Sequence, residues 1–330
     1  MPLLREDVTT VTQRDDIGHR PERYVSLACN RRCKVPATQM KQRVTFRNIL
    51  FATDFSSAAN HAMPYAAGLA RSFGATLYAM HVQEPINYAV PPQTWQTAQL
   101  TRDMEIRCLC EAVKHDFPEI TTEVLEGEGS VWTALNSAIK NHDIDLIVVG
   151  TRGRTGVGKA LLGSRAEEIL RHAPCPVLTV GPRTDSGDKV HGKIASILFA
   201  TDFGAASLGA ARLAVSVAEE YQSKLTLLHV IENRKYHQMA TPVDFGESGE
   251  RLLRALVPAE ANFWCAPHFV VEHGPAAEKI LEVALRTNAD LIVMGVHMPE
   301  GVPGAATHLP VATVHQVVAR AECPVLTARD

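Results

Sequence analysis

Five glycines, Gly150, Gly153, Gly156, Gly158 and Gly163, share one short stretch with Arg152, Arg154 and Lys159, and Ser164 follows at once. Positions without a Cβ let backbone N–H groups approach a ligand closely and reach left-handed conformations. Ser164 with Glu167 three places on reads as a capping box that opens a helix. N–H groups at a helix start, a hydroxyl and nearby cations are the chemistry of an anion site, and phosphate is its natural occupant. A plainer reading stands beside it, in which the glycines only turn the chain and Ser164 only caps. The string is not a Walker A loop, because Lys159 is followed by Ala160 where Ser or Thr is needed, and Gly150-x-x-Gly153 departs from GxGxxG.

The elements that must hold this loop occur twice. ILFATDF stands at Ile49–Phe55 and again at Ile197–Phe203; ATLYAMHV and SKLTLLHV end at Val82 and Val230; DIDLIVVG and NADLIVMG end at Gly150 and Gly295; APCPVLTV and AECPVLTA end at Val180 and Ala328. Four matches in one order define a repeated domain-sized unit over 44–181 and 192–330, joined by a polar linker at 182–191. Within each unit, short apolar runs alternate with helical periods. That pattern predicts a three-layer α/β/α domain with a mostly parallel five-stranded sheet. Ser56 or Ser57 is the predicted N-cap of the first long helix and Gly74 its stop, with Pro64 bending the helix or lying near its first turn. Residues 83–99 read as a loop before a helix that begins near Leu100, and YAVPPQTWQ in it could cover a ligand, meet a partner or tuck onto its own domain. Ligands of such sheets sit beyond the carboxyl ends of the strands, where Asp54, Val82 and Gly150 all fall.

The rest of the composition is restrained. The chain has 330 residues, 46% hydrophobic and 21% charged, with a formal net charge of -3, which gives no general reason to expect nucleic acid or an anionic membrane as partner. The amino terminus carries no apolar run long enough for a signal, and no stretch approaches a membrane span, so a cytoplasmic location is expected. Seven scattered Cys argue against a complete disulfide framework. Residues 1–43 lie outside the repeat, carry more Lys and Arg than Asp and Glu, and read as a basic extension without sustained periodicity. Cys29-x3-Cys33 within it could bind metal or form a reversible disulfide, but it lacks the second pair that a zinc set requires. Cys175 and Cys323, each just before a strand, read as core packing.

Gly150, Gly153, Gly163 and Ser164 fit G-x2-G-x9-G-(S/T), and with Asp54 and the closing PCPVLTV they give the chain a resemblance to tandem members of the universal stress protein family. The resemblance implies ATP or a related adenine nucleotide in the first unit, with Mg2+ as a possible companion of the phosphates. It places Ala52, Asp54 and Val82 on the base and ribose side, and Val149, Gly150, Arg152, Gly153, Gly163, Ser164, Arg165 and Ala166 at the phosphates. It also implies that PVLTV and PVLTA bring the units together as a pseudo-two-fold pair. A homodimer of whole chains and a protein partner are further expectations.

The second unit departs from the motif. Met298 stands three places after Gly295, and Val311 and Ala312 fall where Gly163 and Ser164 stand, so its glycine loop is degenerate. Asp202 and Val230 remain, and His297 and His308 open the way to a different ligand. His81 and His229 recur at equivalent strand ends, which favours a structural hydrogen bond over catalysis. No base can be assigned to Ser164 and nothing positions an attacking water, so no catalytic residue is named. A nucleotide-dependent switch, a slow Mg2+-dependent ATPase using Asp54, and a nucleotide-independent scaffold or binder of another small ligand all remain open.

Overall fold

Apolar runs such as ILF and LIVV bury side chains on both faces, which suits them to strands covered by helices on either side. The computed structural model describes residues 24–26, 34–36, 43–83, 92–151, 162–184, 194–232, 242–296 and 313–329. Strands β1 (Tyr24–Ser26) and β2 (Lys34–Pro36) pair antiparallel within the basic extension. The first unit then runs β3 (Asn48–Thr53), α1 (Ser57–Phe73), β4 (Thr76–Gln83), α2 (Pro92–Asp116), β5 (Thr122–Glu128), α3 (Val131–Asn141), β6 (Leu146–Gly150), α4 (Ser164–His172) and β7 (Val177–Val180). The second repeats it as β8 (Ser196–Thr201), α5 (Ala205–Tyr221), β9 (Lys224–Ile231), α6 (Pro242–Ala255), β10 (His268–His273), α7 (Ala276–Arg286), β11 (Leu291–Gly295), α8 (Thr313–Arg320) and β12 (Val325–Ala328).

The expected two separate five-stranded sheets are corrected to one. A continuous ten-stranded mixed sheet runs β10-β9-β8-β11-β12-β7-β6-β3-β4-β5. Every neighbouring pair is parallel except β12 and β7, which pair antiparallel with Leu326 opposite Leu178 at the centre. The reason is the edge problem: a unit ending at β7 or β12 would leave a row of unpaired backbone groups, and each edge satisfies the other. Two buried side chains add to the join. Thr179 donates its hydroxyl to the Val325 carbonyl and Thr327 donates to the Val177 carbonyl, both at 3.1 Å.

Helices cover both faces. On one side α1, α2, α5 and α6 press a continuous apolar cluster, including Phe46, Phe51, Phe199 and Leu326, against both units, and the Tyr221 hydroxyl donates to the Gly68 carbonyl at 3.3 Å. Burial pushes the Tyr221 phenol up to about 12. On the other side lie two clusters, one under α3 and one under α7 and α8, and α4 contributes side chains to both.

Ser56 is the N-cap of α1, accepting from the Ala59 N–H at 3.2 Å, and Gly74 ends it at φ 64°. Pro64 lies inside that helix. The loop expected to run to residue 99 is shorter than read, because α2 begins at Pro92: proline fits a first helical position, where its missing N–H has no intrahelical acceptor. Residues 84–91 of that segment, and Cys29 and Cys33, lie outside the described residues. Among the described residues no helix is long and apolar enough to cross a membrane.

Candidate functional site

The chain leaves β3 for β4 and β5 on one side and returns to β6 and β7 on the other, so the strand order reverses between β3 and β6. Loops diverge at such a point and open a crevice at the carboxyl ends. Ala52, Asp54, Val82, Val149 and Gly150 all stand at that edge, on the adjacent strands β6, β3 and β4.

Asp54 sits in a tight turn. Its Oδ1 accepts from the Ser56 N–H at 3.0 Å, Phe55 takes a left-handed φ of 58°, and the Phe55 N–H donates to Thr53 Oγ1 at 3.0 Å. His81 supports the turn from β4. Its Nδ1–H donates to the Thr53 carbonyl at 2.9 Å, and its ring lies 4.7 Å from that of Phe55. Since a carbonyl only accepts, the proton belongs on Nδ1.

Ala52 and Val82 are half-buried against the cluster under α3 and α4, together with Val131 at the first position of α3. Val149 is in that cluster, so its backbone, not its side chain, borders the crevice. Gly127 pairs with Val82 across β5 and β4. A Cβ there would come within 2.7 Å of Met80 Cε and 2.8 Å of Ala134 Cβ, so glycine lets α3 press onto the sheet beside Val82. Sequence reasoning missed Gly127 and Val131. The available signal was a glycine near a strand end, just before Ser130, which caps α3 by accepting from the Thr133 N–H at 3.2 Å.

The glycine loop is closed at its base. The Thr151 N–H donates to the Val180 carbonyl at 2.9 Å, and the Gly163 N–H donates to the Thr151 carbonyl at 2.8 Å. The start of α4 is therefore drawn beside the end of β6. Gly163, not Ser164, is the N-cap, and it makes no side-chain cap hydrogen bond. The expected capping box is thus corrected: Ser164 is exposed in the first turn, and Glu167 instead accepts from Arg171 at 2.8 Å. Arg165 lies 3.8 Å from Glu168 and is exposed, while Ala166 is buried, so Ala166 can face a ligand only through its backbone. Both carboxylates near this helix start have an arginine partner, which lowers their repulsion of an anion. Arg152, Gly153, Arg154, Gly156, Gly158 and Lys159 lie outside the described residues.

The second crevice has the same frame and a different lining. Phe203 has φ 59°, and Asp202 Oδ1 accepts from the Gly204 N–H at 2.9 Å and the Ser207 hydroxyl at 2.6 Å. The His229 Nδ1–H donates to the Thr201 carbonyl at 2.9 Å. Burial pushes the His229 pKa below its ordinary value, with the Thr201 bond and Asp202 opposing. Glu272 pairs with Val230, the place Gly127 holds opposite Val82, and accepts from Arg286 at 2.7 Å. A Cβ on Gly295 would meet Ala206 C and Ser207 N at 2.7 Å, so α5 packing alone accounts for that glycine. Met298, His297, His308, Val311 and Ala312 lie outside the described residues.

Cys175 and Cys323 pack against the apolar clusters, and burial pushes the Cys175 thiol up to about 12. Among the described residues no group of acidic, His and Cys side chains could hold a metal.

The profile of the Universal stress protein family matches residues 45–181 and 193–329. A universal stress protein of Thermus aquaticus is 33% identical over 138 residues, covering 41% of this chain and 98% of that one. Universal stress protein A homolog 1 of Coxiella burnetii is 36% identical over 143 residues, covering 41% and 96%. Each of these matches spans about one unit. A universal stress protein of Archaeoglobus fulgidus shares the fold over 86% of this chain and 98% of its own, with a TM-score of 0.65 and 20% identity. With the profile matched twice in succession, the chain belongs to the universal stress protein family and carries two of its units in tandem.

Proposed function

We propose that the first unit binds ATP or a related adenine nucleotide as a regulatory ligand, and that occupancy changes the surface shown to a protein partner. The observation that carries this is the bond from the Gly163 N–H to the Thr151 carbonyl, which draws the start of α4, without a side-chain cap, to the switch point between β3 and β6. Backbone N–H groups of Ser164, Arg165 and Ala166, the Ser164 hydroxyl, Gly150 and the loop through Arg152 and Gly153 would hold phosphates. Ala52, Val82 and Val131 offer an apolar wall to a base, and Asp54 an acceptor to a ribose hydroxyl. A companion Mg2+ would neutralise phosphate charge.

The test is denaturing release and mass identification of any small molecule carried by the purified protein, with ATP titration of the wild type and a Gly163→Val, Ser164→Ala double variant. Adenine nucleotide recovered from the wild type, and binding lost in the double variant, would support the reading. No ligand and no binding heat would sink it. Oligomeric state or partner binding that is identical with and without nucleotide would remove the regulatory part. Phosphate release above a Gly163→Val control would replace switching with slow hydrolysis.

A further inference from the structure

Helix α4 has two masters. Ile169 and Ala173 belong to the first unit's own cluster under α3. Leu162, just before the helix, and Ala166 belong instead to the second unit's cluster, among Ile280, Val283, Val317 and Ala321, and Leu170 packs against both. Leu162, Ala166 and Leu170 follow at intervals of four, so one stripe of the helix and its lead-in rests on the other unit. At the far end Arg329, from beyond β12, donates Nη2–H to the Leu170 carbonyl at 2.5 Å. Carbonyls in the last turn lack intrahelical partners, and a guanidinium there also meets the negative end of the helix dipole. The contact in the other direction is weaker, with exposed Arg183 reaching the Arg320 carbonyl at 3.5 Å.

A helix of nine residues has little stability of its own, so its orientation comes from what it packs against. We infer that the second unit positions α4, and with it the base of the first unit's glycine loop at Gly163, through the Leu162–Ala166–Leu170 stripe and the Arg329 bond at the end of α4. Arg329 is then a positioning residue: it holds the helix whose opposite end closes the loop base at Thr151 and Gly163. Linkage makes the effect reciprocal, so a filled loop tightens the join between units. The inference rests on the nucleotide reading for its ligand, but the ordering of α4 is measurable without one.

The experiment compares full-length wild type, Arg329→Met and Arg329→Lys by ATP titration, by hydrogen exchange of α4 amides without ATP, and by thermal unfolding. Methionine keeps an unbranched chain and deletes the donor; lysine restores a cationic donor. Arg329→Met is expected to weaken ATP binding by roughly fivefold to tenfold, within the usual range of couplings between sites. Its α4 amides should exchange several times faster while those of α1 and α3 hold and the melting temperature barely moves, and Arg329→Lys should recover most of both losses. Unchanged α4 exchange overturns the inference, as does faster exchange with unchanged ATP affinity. If the wild type itself takes no ATP, the nucleotide reading fails separately, and α4 exchange in Arg329→Met still decides whether the second unit orders this helix.

Discussion

The two units keep the same frame and differ where a ligand would sit. Thr53, Asp54, Phe55 and His81 repeat in Thr201, Asp202, Phe203 and His229, with the same left-handed Phe, the same N–H to Thr bond and the same ring-to-carbonyl bond. The neighbours of that frame diverge. Gly127 beside Val82 is replaced by Glu272 beside Val230, and half-buried Ala52 by Ala200, which is 5% exposed. The cap of α3 is local, from Ser130, whereas the Ala276 N–H at the start of α7 donates to Glu232 at 3.0 Å. What is common to both crevices, the turn at the strand-end Asp included, is therefore the frame, and what is peculiar to the first is where the chemistry that would distinguish it as a nucleotide site should be sought. The Glu232 carboxylate takes up an N–H at the start of α7 and has no counterpart at α3 among the described residues, while Glu272 beside Val230 has an arginine partner, as Glu167 and Glu168 do at α4.

The largest expected effect tests the scaffold side of this comparison. Gly295→Ala, with a Cβ 2.7 Å from α5 backbone, should lose about 3 kcal/mol in urea unfolding. A loss under ~0.5 kcal/mol would free that glycine for a ligand role. Next comes the ligand side: Gly163→Val with Ser164→Ala gives the first unit the residues of the second, and ATP affinity by calorimetry should fall about a hundredfold, ~2.7 kcal/mol. Equal affinity would erase the distinction between the crevices. Ser56→Ala removes a cap that α5 lacks, since Gly204 is its N-cap, and should cost about 1 kcal/mol of unfolding free energy. The smallest effect concerns pH. Burial holds the folded His229 pKa below 6.5, so its neutral ring contributes full stability above 6.5 and loses it as pH falls through the folded value. Unfolding free energy measured downward from pH 7 should decline with a slope that is reduced in His229→Gln; an equal slope would place the sensitivity elsewhere.

Much of this was legible because the chain repeats itself. ILFATDF, the strand-end His and the glycine after LIVV can be aligned by eye, and apolar runs separated by helical periods define layers without any coordinate. The joined sheet was not legible as such: PVLTV and PVLTA imply a meeting, but whether two sheets touch or fuse depends on backbone groups that look alike in every sequence. The cap of α4 was misread because Ser164 and Glu167 have the right spacing for a capping box, while tertiary closure from Thr151 to Gly163 sets the helix start one residue earlier. The role of Arg329 was invisible, since its partner carbonyl is 159 residues away.

The antiparallel join of β7 and β12 has a consequence for the order of assembly. Thr179 and the Val325 carbonyl are 146 residues apart, so a ribosome finishes the whole first unit, with β7 paired to β6 alone, long before the outer edge of β7 can find β12. During that interval the outer edge of β7 is a bare rim of backbone groups, open to the β7 of another nascent chain. A polypeptide ending near residue 184 would keep that rim for life, and its natural remedy would be to pair with a copy of itself across Leu178.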